Sequence, residues 1–330
     1  MTETDIGVRD ERGEWQPRII TPGPLFDWPP RPRAVLKWLF GYPGYFFPWP
    51  IIVAAIPIVT WFFLTPDLST MKTFKPGWIA LIYLRNVALL MIVAGGFHLR
   101  FYVQKAQGFK YKYKARWLEK NNSRFLFNNQ TWDNMFWSII SGCGVWTAYE
   151  VMTYWAYANG HIPYLEWMAH PVYFVLLYLA IHPIHELHFY LGHRLLHMKP
   201  LYKAAHHVHH KNVNIGPWSG LSMHTIEHIV YFSCVFLYWV LLAHPVHAIY
   251  HLQFAGLMAP LGHTGFENLV VKGDSKIPAS SDYFHYLHHR YFECNYGGNG
   301  ITLDKWFGTF NDGSSESHAA MRAKRQKVHG

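Results

Sequence analysis

Charge is what this 330-residue chain has least of: only 15% of its residues are Asp, Glu, Lys or Arg, against roughly 25% in an average soluble domain. Cysteine is scarce too. Cys143, Cys234 and Cys294 stand far apart and form no Cys-x-x-Cys pair, which excludes a disulfide framework and a thiolate zinc site. No His-Pro-Gly-Gly haem-binding word, Gly-x-Gly-x-x-Gly turn or iron–sulfur cysteine set occurs, so the chain has no nucleotide or electron-carrier module of its own. The opening "MTETDIGVRDERGEW" has neither the apolar stretch of a signal peptide nor the composition of a transit peptide. Thr2 stands where N-myristoylation requires glycine.

Apolar residues make up 51% of the chain and aromatics 18%, the balance of a protein with lipid-facing surface. Residues 1–45 are a polar, proline-rich arm. Apolar runs follow at Phe46–Leu64, Trp78–Gly96, Met135–Tyr157, Val172–Tyr190, Ile226–Ala243 and Val246–Leu261, and a bilayer core needs roughly 20 helical residues. The expected fold is all-α: a polytopic integral membrane helical bundle with a cytoplasmic-face, histidine-rich metal-binding cap. Its divisions are the arm, an accessory pair of transmembrane helices with a basic loop (46–131), a catalytic core (132–312) and a basic tail (313–330).

The formal net charge is +9, but the basic residues sit in a few loops and the termini, which suits an anionic membrane face and gives no nucleic-acid surface. Residues 99–130 carry eight Lys or Arg and one Glu, and neither 125–193 nor 212–271 contains any Lys or Arg. The positive-inside rule puts the 99–130 loop and both termini in the cytoplasm. The spans then deliver 193–210 and 285–289 to that same face.

Those two stretches hold the chemistry. His193 and His197 are one helical turn apart, while His206, His209 and His210 repeat the H-x-x-H-H spacing of His285, His288 and His289. Residues at i, i+3 and i+4 share a helix face. Eight imidazoles exceed the four ligands that close a zinc site and suit two metal ions. His182, Glu186, His193 and His197 fall within about 60° on a helical wheel, which draws attention to His182, His185 and Glu186 as ionisable groups in a span. Single histidines such as His98, His161, His170, His244, His247 and His251 are read as packing residues. Arg85, in the second span, has three candidate roles, snorkelling, pairing with Glu150 or contacting a lipid head group, of which pairing within the bundle is favoured.

The pattern "HRLLH", "HHVHH" and "HYLHH", with "GHTGFE" at 262–267, "NYG" at 295–297 and "DKWFGTF" at 304–310, resembles the fatty acid hydroxylase/sterol desaturase superfamily over about 132–312. The resemblance implies an O2-dependent non-haem di-iron enzyme that hydroxylates or desaturates a sterol-like or fatty-acyl lipid. It implies iron ligands at His193, His197, His206, His209, His210, His263, His285, His288 and His289, and leaves His224 between ligand and support. Glu186, Glu227 and Asp282 are expected to hold ring N–H groups, and His207 is an extra histidine inside the second box. Trp218, Phe254, Phe266 and Tyr283 are candidate cavity walls, with core packing the commoner role for such residues. Electrons would come from a separate cytochrome b5-like, ferredoxin or flavin reductase partner.

Two other readings fit less well. A metalloprotease needs histidines four apart in H-E-x-x-H; "HELH" at 185–188 lacks that spacing, and "HTIEH" at 224–228 leaves the other boxes unexplained. A histidine-rich metal transporter or metal-binding protein would place ligands near the bilayer midplane, whereas these clusters lie at span ends.

Overall fold

The computed structural model describes residues 7–10, 12–18, 23–278, 282–298, 300 and 302–329, with side chains as far as 323. Thr2 and the start of the arm lie outside the described residues. The described parts of the arm contact the body of the protein. Strands β1 (Gly7–Arg9) and β2 (Trp15–Pro17) form an antiparallel hairpin. Trp15 is buried against Tyr111 and Tyr113, and Glu14 pairs with Arg290.

Helix α1 (Pro32–Phe40) leads to α2 (Trp49–Phe63) and α3 (Pro76–Val103). The long α4 joins Gln130–Phe136 and Cys143–Ala158 through a π-helical turn at Trp137–Gly142. It starts where Asn129 accepts hydrogen bonds from the Thr131 and Trp132 amides, two of the unpaired N–H groups of a helix start. Helix α5 (Pro171–Leu196) begins with proline, whose missing N–H costs nothing there. The short, partly π-helical α6 (Lys199–His210), α7 (Thr225–Val240) and α8 (Pro245–Gly262) follow. A hairpin of β3 (Asn268–Lys272) and β4 (Ser275–Pro278) precedes α9 (Tyr283–Tyr291), α10 (Leu303–Trp306) and α11 (Ser315–His329).

Among the described residues, two helices are long and apolar enough to cross a bilayer: α3, with 28 residues and mean hydropathy 1.9, and α5, with 26 and 1.3. The six apolar runs form helices of unequal length. Helices α2 and α7 are shorter. Helix α8 is buried on every side from Pro245 to Leu257, as a helix that is apolar all round must be. It is the axle of the core, in contact with α2, α4, α5 and α7.

Two ends result. At one, Leu165 N–H donates to the Ala243 carbonyl, bringing the 158–171 and 241–245 loops together. At the other, the 99–130 loop packs on the segment after α8: Tyr113 N–H donates to the Gly265 carbonyl, and the Tyr102 hydroxyl donates to the Thr264 carbonyl. Gly265 has φ +80°, and a Cβ there would sit 2.7 Å from the Ile215 oxygen and the Tyr102 hydroxyl. Only glycine fits that close approach. Helix α5 is about 39 Å long at 1.5 Å per residue, so His193 and His197 lie a full helix length from Pro171. The arm, the basic loop and all three histidine boxes share one end.

Inside the bundle Arg85 finds the expected Glu150, which also accepts from Asn86 (3.1 Å) and the Tyr154 hydroxyl (2.8 Å). The basic loop hides a second cation. Lys112 is fully buried, donates to Asn214 Oδ1 at 3.2 Å and lies 5.5 Å from the Tyr102 and Phe266 rings. Burial first, then Lys114, Arg116 and Arg9, pushes its ammonium down to about 7 from 10.5. The unfolded chain then holds the proton that the folded chain sheds, so this residue makes stability rise between pH 7 and 10.5 and sets a constant penalty below. Lys112→Met is expected to flatten the increase in melting temperature between pH 7 and 10.5, measured by thermal scans across that range.

Candidate metal centre

The histidine boxes meet, and they sort into two groups. Ligand atoms of His193, His197, His206, His210 and His288 lie within 4.8 Å of one another, as do those of His209, His263, His285 and His289. Adjacent helical residues point about 100° apart, so each H-x-x-H-H word is divided between the groups. In α6 the i, i+4 pair His206/His210 joins the first group and His209 the second. In α9 the i, i+4 pair His285/His289 joins the second and His288 the first. The exchange is reciprocal. His210 and His289 rings, one from each group, are 5.0 Å apart.

Local structure fixes which nitrogen faces inward. His193 Nδ1 is 2.6 Å from the Tyr296 carbonyl, His288 Nδ1 2.6 Å from that of Cys294, and His263 Nδ1 2.8 Å from that of Ala259. A carbonyl oxygen only accepts, so each Nδ1 carries the proton and each Nε2 keeps a lone pair. His206 Nδ1 is likewise 2.8 Å from Glu227 Oε1. The inward Nε2 atoms approach one another at 3.0–3.1 Å, with His197 facing His206, His210 and His288, and His263 facing His285 and His289. The Nε2 atom of His193 is buried with no protein partner. Facing lone pairs repel, and a cation between them is what satisfies them. This donor set fits metal ions. Imidazole suits Fe, Zn, Cu and Ni alike.

Burial, then the neighbouring imidazoles, holds His206, His210, His285, His288 and His289 well below the ordinary imidazole range. The rings are therefore neutral at physiological pH, the state that binds metal.

The flanking words support these rings. Asp304, from "DKWFGTF", accepts from the Tyr296 and Gly297 amides at 2.9 and 2.8 Å and from Thr309 Oγ1 at 2.6 Å. It thereby holds the "NYG" turn whose Tyr296 carbonyl orients His193. The oriented carbonyls of Tyr296, Cys294 and Ala259 belong to the backbone, which residue types do not advertise.

Other site residues fall differently. Glu227 Oε1 accepts from the His206 ring at 2.8 Å. Asp282 instead caps α9, accepting from the Phe284 and His285 amides at 2.9 and 3.3 Å; it precedes the helix, so its carboxylate meets free backbone N–H groups before any ring. Glu186 lies 3.5 Å from His182 Nε2, and His182 stacks on Tyr45 at 4.0 Å. His224 belongs to neither group; its Nδ1 caps α7 by accepting from the Ile226 amide at 3.2 Å. His207 is exposed. A third group, His185, Cys234 and His251, lies deeper in the bundle.

A cavity of about 390 Å³ reaches both groups, touching His193 and His206 of the first and His209, His263 and His285 of the second. Phe189, Tyr231, Phe254 and Met258 line it, and Trp38, Tyr45 and Trp49 close one side. Of the four expected walls only Phe254 is there. Trp218, Phe266 and Tyr283 pack in three separate apolar clusters, where each ring is turned to neighbouring elements.

Fold and site define a helical protein with two apolar helices long enough to span a bilayer and nine clustered imidazoles, in ligand spacing, at one end. Residues 175–309 match the fatty acid hydroxylase family, and the chain's relatives include sterol desaturases and a methylsterol monooxygenase. It is 29% identical to a Delta(7)-sterol-C5(6)-desaturase of Nicotiana tabacum over 52% of this chain and 62% of the relative. It is 28% identical to Delta(7)-sterol 5(6)-desaturase ERG3B of Gibberella zeae over 46% and 47%. For methylsterol monooxygenase 1 of Gallus gallus the figures are 29%, 48% and 54%. The matched region spans about half the length of these relatives. No solved structure matches significantly.

Proposed function

We propose that the chain is a multi-pass membrane oxidoreductase that uses O2 and two iron ions to hydroxylate or desaturate a C–H bond of a sterol-like lipid. One observation carries this reading: a largely apolar cavity ends on imidazoles from both metal groups. Iron, when bound, supplies the change of oxidation state that attack on an unactivated C–H bond needs and that zinc lacks.

The protein's own part is placement. Nine rings hold the ions, with tautomers set by Tyr296, Cys294, Ala259 and Glu227. The aromatic and aliphatic walls exclude water and align one carbon by shape. Among the described residues no Lys or Arg lines the cavity, whereas Glu186, Glu227 and Asp282 do. An anionic head group would meet carboxylates without a compensating cation, so a neutral alcohol head is favoured over a free fatty acid. Glu186 and His182, at the side closed by Tyr45, offer hydrogen-bonding groups to such a hydroxyl.

The basic end of the bundle faces the cytoplasm by the positive-inside rule. There a separate electron donor, cytochrome b5-like, ferredoxin or flavin reductase, would dock, with exposed lysines and arginines attracting an acidic partner. The test is mass spectrometry of membrane lipids with and without the gene. A neutral lipid that gains one oxygen or loses two hydrogens only when the protein is present supports the reading. An unchanged lipid profile under full iron loading counts against it.

A further inference from the structure

The third histidine group shares no ligand with the other two, although His185 also lines the cavity. His185 comes from α5, Cys234 from the tight turn inside α7, and His251 from α8, so one point joins three rods of the bundle. Their ligand atoms lie within 4.8 Å of one another, and the residues are 7%, 3% and 0% exposed. His185 is two helical turns before His193, about 12 Å along the axis, which sets this group apart from the two at the end of the bundle.

Its polar atoms are poorly satisfied by protein. His185 Nδ1 and His251 Nε2 are buried with no hydrogen-bond partner, and such groups ordinarily have one. The Cys234 thiol makes a long 3.6 Å contact to the Phe232 carbonyl and meets the backbone at Val235, with no side-chain hydrogen bond among the described residues. His251 Nδ1 lies 3.0 Å from the Tyr238 hydroxyl. With the proton on Nδ1 and donated to that oxygen, Nε2 turns a lone pair toward His185 and Cys234, the arrangement in which an outer partner orients a ligating ring. Phe189, Tyr231 and Phe254 surround His185, keeping water away.

We propose that His185, Cys234 and His251 form a separate binding site for a single copper(I) ion, which ties α5, α7 and α8 together. Charge chooses the metal. A thiolate and two neutral imidazoles bring one negative charge, so copper(I) gives a neutral complex. Zinc(II) would leave a net positive charge in an apolar interior, where unpaired charge is costly, and would seek a fourth ligand. Soft thiolate also selects copper(I) over the harder divalent ions. Loading releases the Cys234 proton to solvent and involves no change of oxidation state.

The test uses iron-loaded, detergent-solubilised full-length protein, titrated without oxygen with the copper(I) complex of bicinchoninate. Wild type is expected to withdraw one copper per chain, and X-ray absorption at the copper edge to show one sulfur and two nitrogen neighbours. Cys234→Ser is expected to withdraw none while keeping its iron. Copper uptake equal in Cys234→Ser and wild type, a wild-type copper spectrum with no sulfur neighbour, or tight zinc in place of copper would each overturn the site. The wild-type spectrum decides even if the variant does not fold.

Discussion

His209→Ala is expected to abolish O2-dependent turnover and to halve the iron bound, from two ions per chain to one. His209 is the only member of the second group supplied by α6. Without it that ion keeps His263, His285 and His289, three rings from two adjoining segments of the chain. Even changes one step removed from a metal cost 10–100-fold in affinity or activity, and loss of a ligand exceeds that. The first group keeps all five of its rings, so the surviving ion should stay bound. Fold should survive too: His209 sits on a four-residue helical segment pinned by its neighbours, away from the α8 core. Iron analysis, turnover and a thermal melt on one preparation check all three. Two irons with full activity in the variant would refute the assignment.

Glu227→Gln is the second large effect. The carboxylate reaches His206 Nδ1 at 2.8 Å across the gap between α7 and α6, with side chains 3% and 1% exposed. It fixes the His206 tautomer and makes the inward nitrogen a stronger donor. An amide keeps the volume; it can present its oxygen to Nδ1–H but removes the negative charge. Iron affinity of the first group is expected to fall about 10–100-fold, read as earlier loss of one iron during titration with a chelator. Loss of both irons together, or of neither, would contradict the division into two groups.

Much of this centre was legible in the chain. The i, i+3, i+4 spacing of His206/His209/His210 and His285/His288/His289 requires imidazoles on one side of short helices. Lys and Arg confined to particular loops told which ends belong together, and the basic loop does share its end with the boxes through Tyr113 and Gly265. Arg85 and Glu150, costly alone in an apolar span, predict each other for electrostatic reasons.

Other features were not legible because they depend on where backbones and distant segments come to rest. The carbonyls of Tyr296, Cys294 and Ala259 orient three rings, yet any residue type has a carbonyl. Trp38 and Tyr45 lie in the proline-rich arm and Trp49 just beyond it, and their place on the cavity wall comes from tertiary packing such as the Tyr45 ring on His182 of α5. Asp282 looked like a partner for a histidine ring, but a carboxylate directly before a helix finds free amides first. His251 and Cys234 read as an isolated packing histidine and a lone cysteine, since nothing local records that α8 and α7 bring them to His185.

The sequence by itself determined that the protein is helical and apolar, with clustered imidazoles in ligand spacing, because helix periodicity and side-chain chemistry are local properties. Only the tertiary structure decided that each H-x-x-H-H word is shared between two groups of imidazoles, that α8 is a buried axle, and which walls meet those rings. Those depend on the relative placement of helices, and packing sets that placement among segments a hundred residues or more apart.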